Sequence, residues 1–247
     1  MVAQQTTLSV NLNAIALLRN RRNLPWPDML DLARIALKAG ASGITVHPRP
    51  DERHIRYADI ELLANFLKVE FPAAQFNIEG FPSVEFLELA MPYAQQITLV
   101  PDDPHQNTSD HGWDIEQQIA VLVPIIQHIK QKPIKVSVFL DAGATGHNKL
   151  AAIGVDSIEL YTGSYAACYN NEAAANFAVE ALASTAHAAK LAGLAVNAGH
   201  DLTVENLPLL LDKVNKISEV SIGHALTADA LLYGMERAVG RFLAVLN

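Results

Sequence analysis

The stretch Gly43-Ile-Thr-Val-His-Pro-Arg-Pro-Asp-Glu-Arg-His54 indicates the fold, because a short apolar run ends abruptly in histidine and arginine. Two other runs end on a Gly-His pair, Val196-Asn-Ala-Gly-His200 and Val220-Ser-Ile-Gly-His224. A fourth run, Phe76-Asn-Ile-Glu79, ends on a carboxylate. Several strands are therefore expected to bring ionisable side chains to one place.

Short β-branched runs alternate with longer segments of helical period, a pattern typical of parallel βα units whose strands are buried on both faces. Eight units can be counted, and 247 residues, half of them apolar, match the roughly 250 residues of a (β/α)8 barrel. We predict one TIM-barrel domain over residues 1–247, with an extra helix after a long loop that follows strand four. The predicted strands are Leu8–Asn13, Gly43–His47, Gln75–Glu79, Gln96–Pro101, Lys135–Asp141, Ser157–Thr162, Leu194–Ala198 and Glu219–Gly223.

Helix signals support this interpretation. Pro27 and Asp28 are expected to begin a helix that ends at Gly40, with Leu30, Leu32, Ile35 and Ala36 on its apolar side. Further helices are predicted over Tyr57–Val69 and Ile115–Ile129. The polar connection from Asp102 to Trp113 has the length of a binding loop. An open dinucleotide-binding sheet is disfavoured, because no Gly-x-Gly-x-x-Gly follows the first strand.

Composition limits the class of function. A net charge of −8 argues against a general nucleic-acid-binding or anionic-membrane surface. No apolar run approaches the roughly 20 residues that span a bilayer, and the N-terminus lacks a signal-peptide pattern. Cys168 is the one cysteine, so no internal disulfide can form. We expect a cytoplasmic protein that binds neither nucleic acid nor membrane.

All strands of a closed parallel barrel end on one rim, where barrel active sites lie. Glu79 suits a general base, and an ion pair with arginine is an equally open role. His47, His200 and His224 suit proton transfer near neutral pH. The residues expected at or near the rim are Asn11, Asn13, His47, Arg49, Glu79, Asp141, Glu159, His200, Gly223 and His224.

Gly199 and Gly223 would let the backbone approach a phosphate after strands seven and eight, although ordinary tight turns remain an alternative. Arginine could bind the phosphate or be solvated surface; the candidates are Arg19, Arg21, Arg22, Arg49 and Arg53. Zinc ligand types are present, but no His-Glu-x-x-His or Cys-x-x-Cys spacing occurs. We therefore favour acid/base catalysis with no metal and no cofactor.

The order and spacing of these motifs resemble the pyridoxine 5'-phosphate synthase family over nearly the whole chain. The segments that carry the resemblance are Val10-Asn-Leu-Asn-Ala-Ile-Ala-Leu-Leu-Arg-Asn20, Gly43-Ile-Thr-Val-His-Pro-Arg49, Arg53-His-Ile55, Asn77-Ile-Glu79, Leu99-Val-Pro101, Ile158-Glu-Leu-Tyr-Thr-Gly-Ser-Tyr-Ala166, Val196-Asn-Ala-Gly-His200 and Ile222-Gly-His-Ala225.

The resemblance implies condensation of 3-amino-2-oxopropyl phosphate with 1-deoxy-D-xylulose 5-phosphate to give pyridoxine 5'-phosphate, phosphate and water. It makes His47 and Glu79 proton acceptors and His200 a proton donor. It assigns Asn11, Arg22, Asp201, Gly223 and His224 to the aminoketone phosphate, Arg49, His54 and Thr108 to the deoxyxylulose phosphate, and Asn13 to a substrate hydroxyl. It also implies a homo-octamer built from dimers.

The chain departs from the family pattern at three places. Asn13-Ala14 replaces Asp-His, Asp201 replaces glycine, and Tyr161 stands where histidine is common. The first change motivates a second hypothesis, another barrel that condenses or isomerises phosphorylated ketones. A third hypothesis is a phosphosugar-binding barrel without turnover, which would not require the proton-transfer groups at His47, Glu79 and His200.

Overall fold

Eight parallel strands form a closed barrel in which each strand pairs with the next along the chain and β8 pairs with β1. The computed structural model describes residues 5–22, 24–102, 106 and 109–247. The strands are β1 (Thr7–Asn11), β2 (Gly43–Val46), β3 (Gln75–Gly80), β4 (Gln96–Leu99), β5 (Lys135–Leu140), β6 (Ser157–Tyr161), β7 (Ala195–Gly199) and β8 (Glu219–Ile222). The predicted (β/α)8 fold is confirmed.

Helices surround the barrel. They are α1 (Asn13–Asn20), α2 (Met29–Lys38), α3 (Tyr57–Glu70), α4 (Val84–Ala90), α5 (Ile115–Ile129), α6 (His147–Ala152), α7 (Gly163–Cys168), α8 (Glu172–Leu191), α9 (Leu207–Lys213), α10 (His224–Tyr233) and α11 (Met235–Leu246). Between β4 and β5 the described residues contain one helix, α5, which is the crossover helix of the fourth unit. Two helices instead of one follow each of the strands β1, β6 and β8. No described helix is long and apolar enough to cross a membrane.

Polar and apolar residues alternate along the strands. The apolar side chains, such as Val10, Ile44 and Ile78, face the surrounding helices and are fully buried in the core between sheet and helices. The intervening residues point into the barrel, and most are polar: Ser9, Thr45, Gln75, Asn77, Glu79, Gln96, Thr98, Ser137, Ser157, Glu159, Asn197 and Glu219. Barrel interiors are usually filled by branched apolar side chains, so this interior is unusual.

Hydrogen bonds connect some of these interior side chains across the strands. Ser9 Oγ and Thr45 Oγ1 are 2.7 Å apart, and Asn77 Nδ2 lies 3.4 Å from Thr45 Oγ1. Thr98 donates to Asn77 Oδ1 at 2.9 Å. Because a register shift of one residue would turn the apolar set inward, this alternation specifies the register.

Helix α2 shows where the sequence prediction succeeds and where it is wrong. Its start is correct, because the Asp28 side chain accepts from the backbone N–H groups of Leu30 and Asp31 at 2.8 and 3.1 Å. Its buried face is Met29, Ala33, Ala36 and Leu37, whereas Leu30 and Leu32 are half-buried and Ile35 is exposed. The helix packs against α11, and this tertiary contact sets its buried side.

The end of the loop after β4 is fixed to the barrel. Trp113 Nε1 donates to Leu99 O, and Trp113 N donates to Phe139 O, both at 2.9 Å. Gly112 lies so close to the next strand that an added Cβ would come within 2.5 Å of the Leu140 Cα and the Asp141 N. The loop therefore returns to the rim through a contact that requires glycine.

We predict that Gly112→Ala lowers the free energy of unfolding by about 1–3 kcal/mol, because backbone atoms must shift to admit the methyl group. Gly240→Ala is the matched control: Gly240 lies within α11 with nothing near its Cβ position. It should leave stability unchanged or raise it by up to about 1 kcal/mol. Urea unfolding of both variants measures this, and equal stabilities would contradict the close approach.

Candidate active site

A cavity of about 290 Å³ opens at the carboxyl-terminal rim of the barrel. Its wall brings together most of the predicted site residues: Asn11, Asn13, His47, Arg49, His54, Glu79, His200, Asp201, Gly223 and His224. Arg22 is exposed beyond the end of α1, and neither it nor Asp141 lines the cavity. Thr108 lies outside the described residues. Ala14, Ser109 and Glu159 also belong to the wall.

Glu79 is the carboxylate at the end of β3, and it is buried. Burial raises the pKa of Glu79 well above 4.5, and the nearby Glu159, Asp102 and Glu219 carboxyls raise it further. Asn77 Nδ2 lies 3.5 Å from Glu79 Oε1. No ion pair of Glu79 with an arginine is present among the described residues, so burial and neighbouring carboxyls are the influences that set its pKa.

Glu159 is a second buried carboxyl in the cavity wall, carried by β6. Burial raises its pKa to about 8, with a further contribution from Glu219. Gly199 makes room for it, since a Cβ at Gly199 would lie 2.4 Å from Glu159 Oε1. From the sequence, Glu159 is expected near the rim without an assigned role, because its contact with Gly199 depends on the pairing of β6 with β7.

His200 follows β7 in a left-handed backbone conformation with φ 83°, and Asp201 follows with φ 56°. Thr162 holds this turn by donating its hydroxyl to the carbonyl oxygens of Gly199 and His200. Such strained backbone often marks functional sites. The imidazole packs on Phe139, with ring centroids 4.8 Å apart, and burial lowers the pKa of His200 to about 4, partly opposed by Asp201.

His47 is placed by a contact from the end of β1. Its backbone N–H donates to Asn13 Oδ1 at 2.9 Å, and the N–H of Asn13 donates to Asn11 Oδ1 at the same distance. Burial lowers the pKa of His47 well below 6.5, and the nearby Arg49, His54, His200 and Arg53 lower it further. The imidazole is therefore neutral at physiological pH and able to accept a proton.

Arg49 and His54 form the side of the cavity that faces the loop after β4. The guanidinium of Arg49 is buried and bonded to Asp102 and to the carbonyl oxygen of Gln106. Burial lowers the pKa of His54 to about 4, and the Arg49 and Arg53 cations act in the same direction. Arg53 bonds to Asp51 and Gln106, and Arg19 pairs with Asp59, so both arginines have structural partners.

The opposite side of the cavity is formed by Asn11, the Gly223-His224 pair and the first turn of α10. A Cβ at Gly223 would lie 3.1 Å from the Asn11 Cβ, so glycine permits this close contact. The amino-terminal end of α10 at the cavity carries the partial positive charge that favours a phosphate.

Among the described residues, no group of three or more His, Cys, Asp or Glu side chains has an arrangement that could hold a metal.

The fold is that of a (β/α)8 barrel, and its rim cavity brings buried carboxyls and imidazoles together with regions suited to anions, as in barrel enzymes. Residues 8–247 match the family described as pyridoxal phosphate biosynthesis protein PdxJ. The chain belongs to this family, whose members catalyse the last step of vitamin B6 biosynthesis.

Relatives with assigned names agree with the family assignment. The chain is 55% identical to the pyridoxine 5'-phosphate synthase of Brucella anthropi over 240 residues, which cover 97% of this chain and 98% of the relative. It is 53% identical to the pyridoxine 5'-phosphate synthase of Brucella suis over 240 residues, which again cover 97% of this chain and 98% of the relative.

Solved structures of low sequence identity share the fold alone. Tryptophan synthase from M. tuberculosis has a TM-score of 0.65 and 11% identity, covering 98% of this chain and 93% of that chain. Thiamine phosphate pyrophosphorylase from Pyrococcus furiosus has a TM-score of 0.62 and 11% identity, covering 98% and 96%.

Glu159 should make stability depend on pH. Between pH 4.5 and about 8 the folded protein keeps a proton on Glu159 that the unfolded chain has released, so stability falls as pH rises through this range. In Glu159→Gln, the free energy of unfolding should fall with rising pH less steeply than in wild type. The two slopes should differ by up to about 1.4 kcal/mol per pH unit. Unfolding across this range measures the slope, with the exposed Glu61→Gln as control. A slope equal to wild type would contradict the raised pKa.

Proposed function

We propose that this chain closes the ring of pyridoxine 5'-phosphate from 3-amino-2-oxopropyl phosphate and 1-deoxy-D-xylulose 5-phosphate, with Glu79, His47 and His200 moving the protons. Membership of the family makes the chain an enzyme of vitamin B6 biosynthesis. The observation that carries the residue assignment is that Glu79, His47 and His200 line one cavity with pKa values shifted in opposite directions. Groups whose pKa values are shifted in opposite directions can take separate roles, some as acids and others as bases.

Ring closure requires an amine to attack a ketone, phosphate to leave and water to be eliminated. Each step moves a proton to or from carbon, nitrogen or oxygen. Glu79 can take up such a proton and return it, because burial raises the pKa of its carboxyl well above 4.5 and so makes the carboxylate a stronger base. Neutral His47 can accept a proton from a substrate that is bound near Arg49.

His200 is assigned as the proton donor, although burial makes its neutral form dominant in the free protein. The substrates bring two phosphate groups, and their negative charge would raise the pKa of nearby imidazoles. His200 and Asp201 are consecutive residues of one left-handed turn, so the imidazole lies next to the backbone that is assigned to the phosphate. Phosphate binding would therefore favour the protonated form that donates.

The two substrates are assigned to opposite sides of the cavity. Arg49 and His54 would hold the sugar phosphate, and Thr108, which lies outside the described residues, stays assigned to it by the family resemblance alone. The aminoketone phosphate would lie against Asn11, Gly223 and the start of α10, with Asp201 presenting its backbone. Arg22 stays assigned to this phosphate by the family resemblance alone, since it does not line the cavity.

The Asn13-Ala14 departure is compatible with the reaction. Asn13 Oδ1 already accepts from the backbone of His47, which leaves the amide NH2 to donate to a substrate hydroxyl. Ala14 adds only a methyl group to the cavity wall. The second hypothesis, a barrel acting on another phosphorylated ketone, rests on the loss of Asp-His at Asn13-Ala14, and product analysis separates the two.

The cellular setting and assembly are also proposals. We place the enzyme in the cytoplasm as a homo-octamer built from dimers. Exposed apolar side chains on two adjoining helices support self-association: Leu17 and Leu18 on α1, and Leu231 and Leu232 on α10. Exposed apolar patches of this kind favour protein contacts.

The reaction is tested by incubating the protein with both substrates and following pyridoxine 5'-phosphate by mass spectrometry together with free phosphate. We expect the two products in equal amounts. Glu79→Gln should lower kcat by about 100-fold or more, because the general base is lost while the shape is kept. Substrate binding without product would favour the binding-barrel hypothesis, and neither binding nor product would indicate a different substrate.

The donor assignment is tested separately with His200→Asn, which keeps a polar side chain and removes the titrating group. We expect kcat to fall by about 100-fold or more with smaller changes in both KM values. His187→Asn serves as the control, since His187 lies on α8 outside the cavity wall. Steady-state kinetics measure both variants, and near-wild-type turnover in His200→Asn would refute the assignment.

A further inference from the structure

Asp102 lies directly behind the wall of the cavity, just after β4, and it is buried. Its Oδ2 accepts a hydrogen bond from Arg49 Nη2 and another, of 2.7 Å, from Ser109 Oγ. The same oxygen is 3.8 Å from His47 Nε2. Arg49, Ser109 and His47 line the cavity, whereas Asp102 does not. One carboxylate oxygen therefore contacts three wall residues from behind.

The guanidinium of Arg49 has a second fixed point, because Nη1 donates to the carbonyl oxygen of Gln106 at 3.0 Å. A guanidinium carries five N–H donors, so donors remain for an anion in the cavity. The Arg49 side chain is only 4% exposed. Without the Asp102 charge, this buried cation would lack its counter-ion and could change orientation.

The second oxygen of Asp102 sets it apart from a purely structural carboxylate. Oδ1 is buried and has no hydrogen-bond partner within the described ranges. Buried carboxylate oxygens are normally paired, and an exception directly behind a cavity wall points to a functional constraint. Burial raises the pKa of Asp102, while Ser109, Arg49 and His111 oppose this rise.

We propose that Asp102 is a positioning residue that orients Arg49 and Ser109 toward the sugar phosphate, and so sets the affinity for 1-deoxy-D-xylulose 5-phosphate. Its hydrogen bonds from the described residues go to this side of the cavity and to neither Asn11 nor Gly223 on the other. The affinity for the aminoketone phosphate is accordingly independent of Asp102. The assignment rests on the proposed function, which places the sugar phosphate beside Arg49.

The test is Asp102→Asn, which keeps the shape of the side chain and removes its charge. The KM for 1-deoxy-D-xylulose 5-phosphate should rise about tenfold or more, and the KM for 3-amino-2-oxopropyl phosphate should change by less than about twofold. Asp141→Asn is the matched control, because Asp141 follows the next strand, β5, and does not line the cavity. Both KM values should be unchanged in the control.

A double-mutant cycle tests whether Asp102 acts through Arg49. If it does, Asp102→Asn should add little to the KM effect of Arg49→Lys, since the carboxylate no longer has the same group to orient. A general loss of barrel stability would instead raise both KM values and leave the effects additive. Additive effects, equal rises in the two KM values, or no change in either would overturn the proposal.

Two further measurements keep the test decisive. If Asp102→Asn does not fold, as judged by circular dichroism, Ser109→Ala removes the other hydrogen bond and should raise the KM for the sugar phosphate selectively by a smaller factor. Calorimetric binding of 1-deoxy-D-xylulose 5-phosphate to wild type and Asp102→Asn needs no turnover. An approximately tenfold loss of affinity in the variant would support the positioning role even if no pyridoxine 5'-phosphate were formed, and equal affinities would overturn it.

Discussion

The alternation of apolar and polar side chains along the strands is the constraint on which the site depends. It directs the apolar residues outward to the helices, where they form the core, and fills the barrel with hydroxyls, amides and carboxyls. Hydrogen bonds such as those among Ser9, Thr45 and Asn77 stabilise part of this interior, whereas other buried polar atoms in it have no partner among the described residues: Gln96 Nε2, Ser137 Oγ and Ser157 Oγ. The same face supplies Glu79 and Glu159 to the cavity wall.

Burial in this interior has opposite consequences for acids and bases. It disfavours charge, so the pKa values of the carboxyls rise and those of the imidazoles fall. Carboxyls and imidazoles whose neutral forms are favoured by burial therefore meet in one cavity beside the buried guanidinium of Arg49. Substrates that carry phosphate would shift this balance, which couples binding to the protonation of the groups that react.

Much of the architecture could be predicted because it follows from local patterns. The β-branched runs locate the strands within two residues of their observed ends, and the helix over Ile115–Ile129 was predicted with its exact bounds. The side that α2 buries was misjudged at Ile35, because contact with α11 decides it. The strands were predicted to be buried on both faces, and they are, but the polar character of the inner face was overlooked.

The candidate site could be predicted where its residues lie at the ends of strands. Histidines and a carboxylate at the ends of apolar runs indicated His47, Glu79 and His200 directly. The roles of Asp102 and Thr162 were missed, because each depends on a neighbouring strand or loop brought close by barrel closure. A carboxylate directly after an apolar strand was the available signal for Asp102.

The central claim is that the barrel interior raises the pKa of Glu79 well above that of an exposed glutamate. Infrared difference spectra between wild type and Glu79→Gln, recorded over a range of pH, test this most directly, since a protonated carboxyl absorbs apart from a carboxylate. The account predicts a carboxylic-acid band of Glu79 that persists to higher pH than the bands of exposed carboxyls. Loss of this band in the same pH range as the exposed carboxyls would contradict the claim.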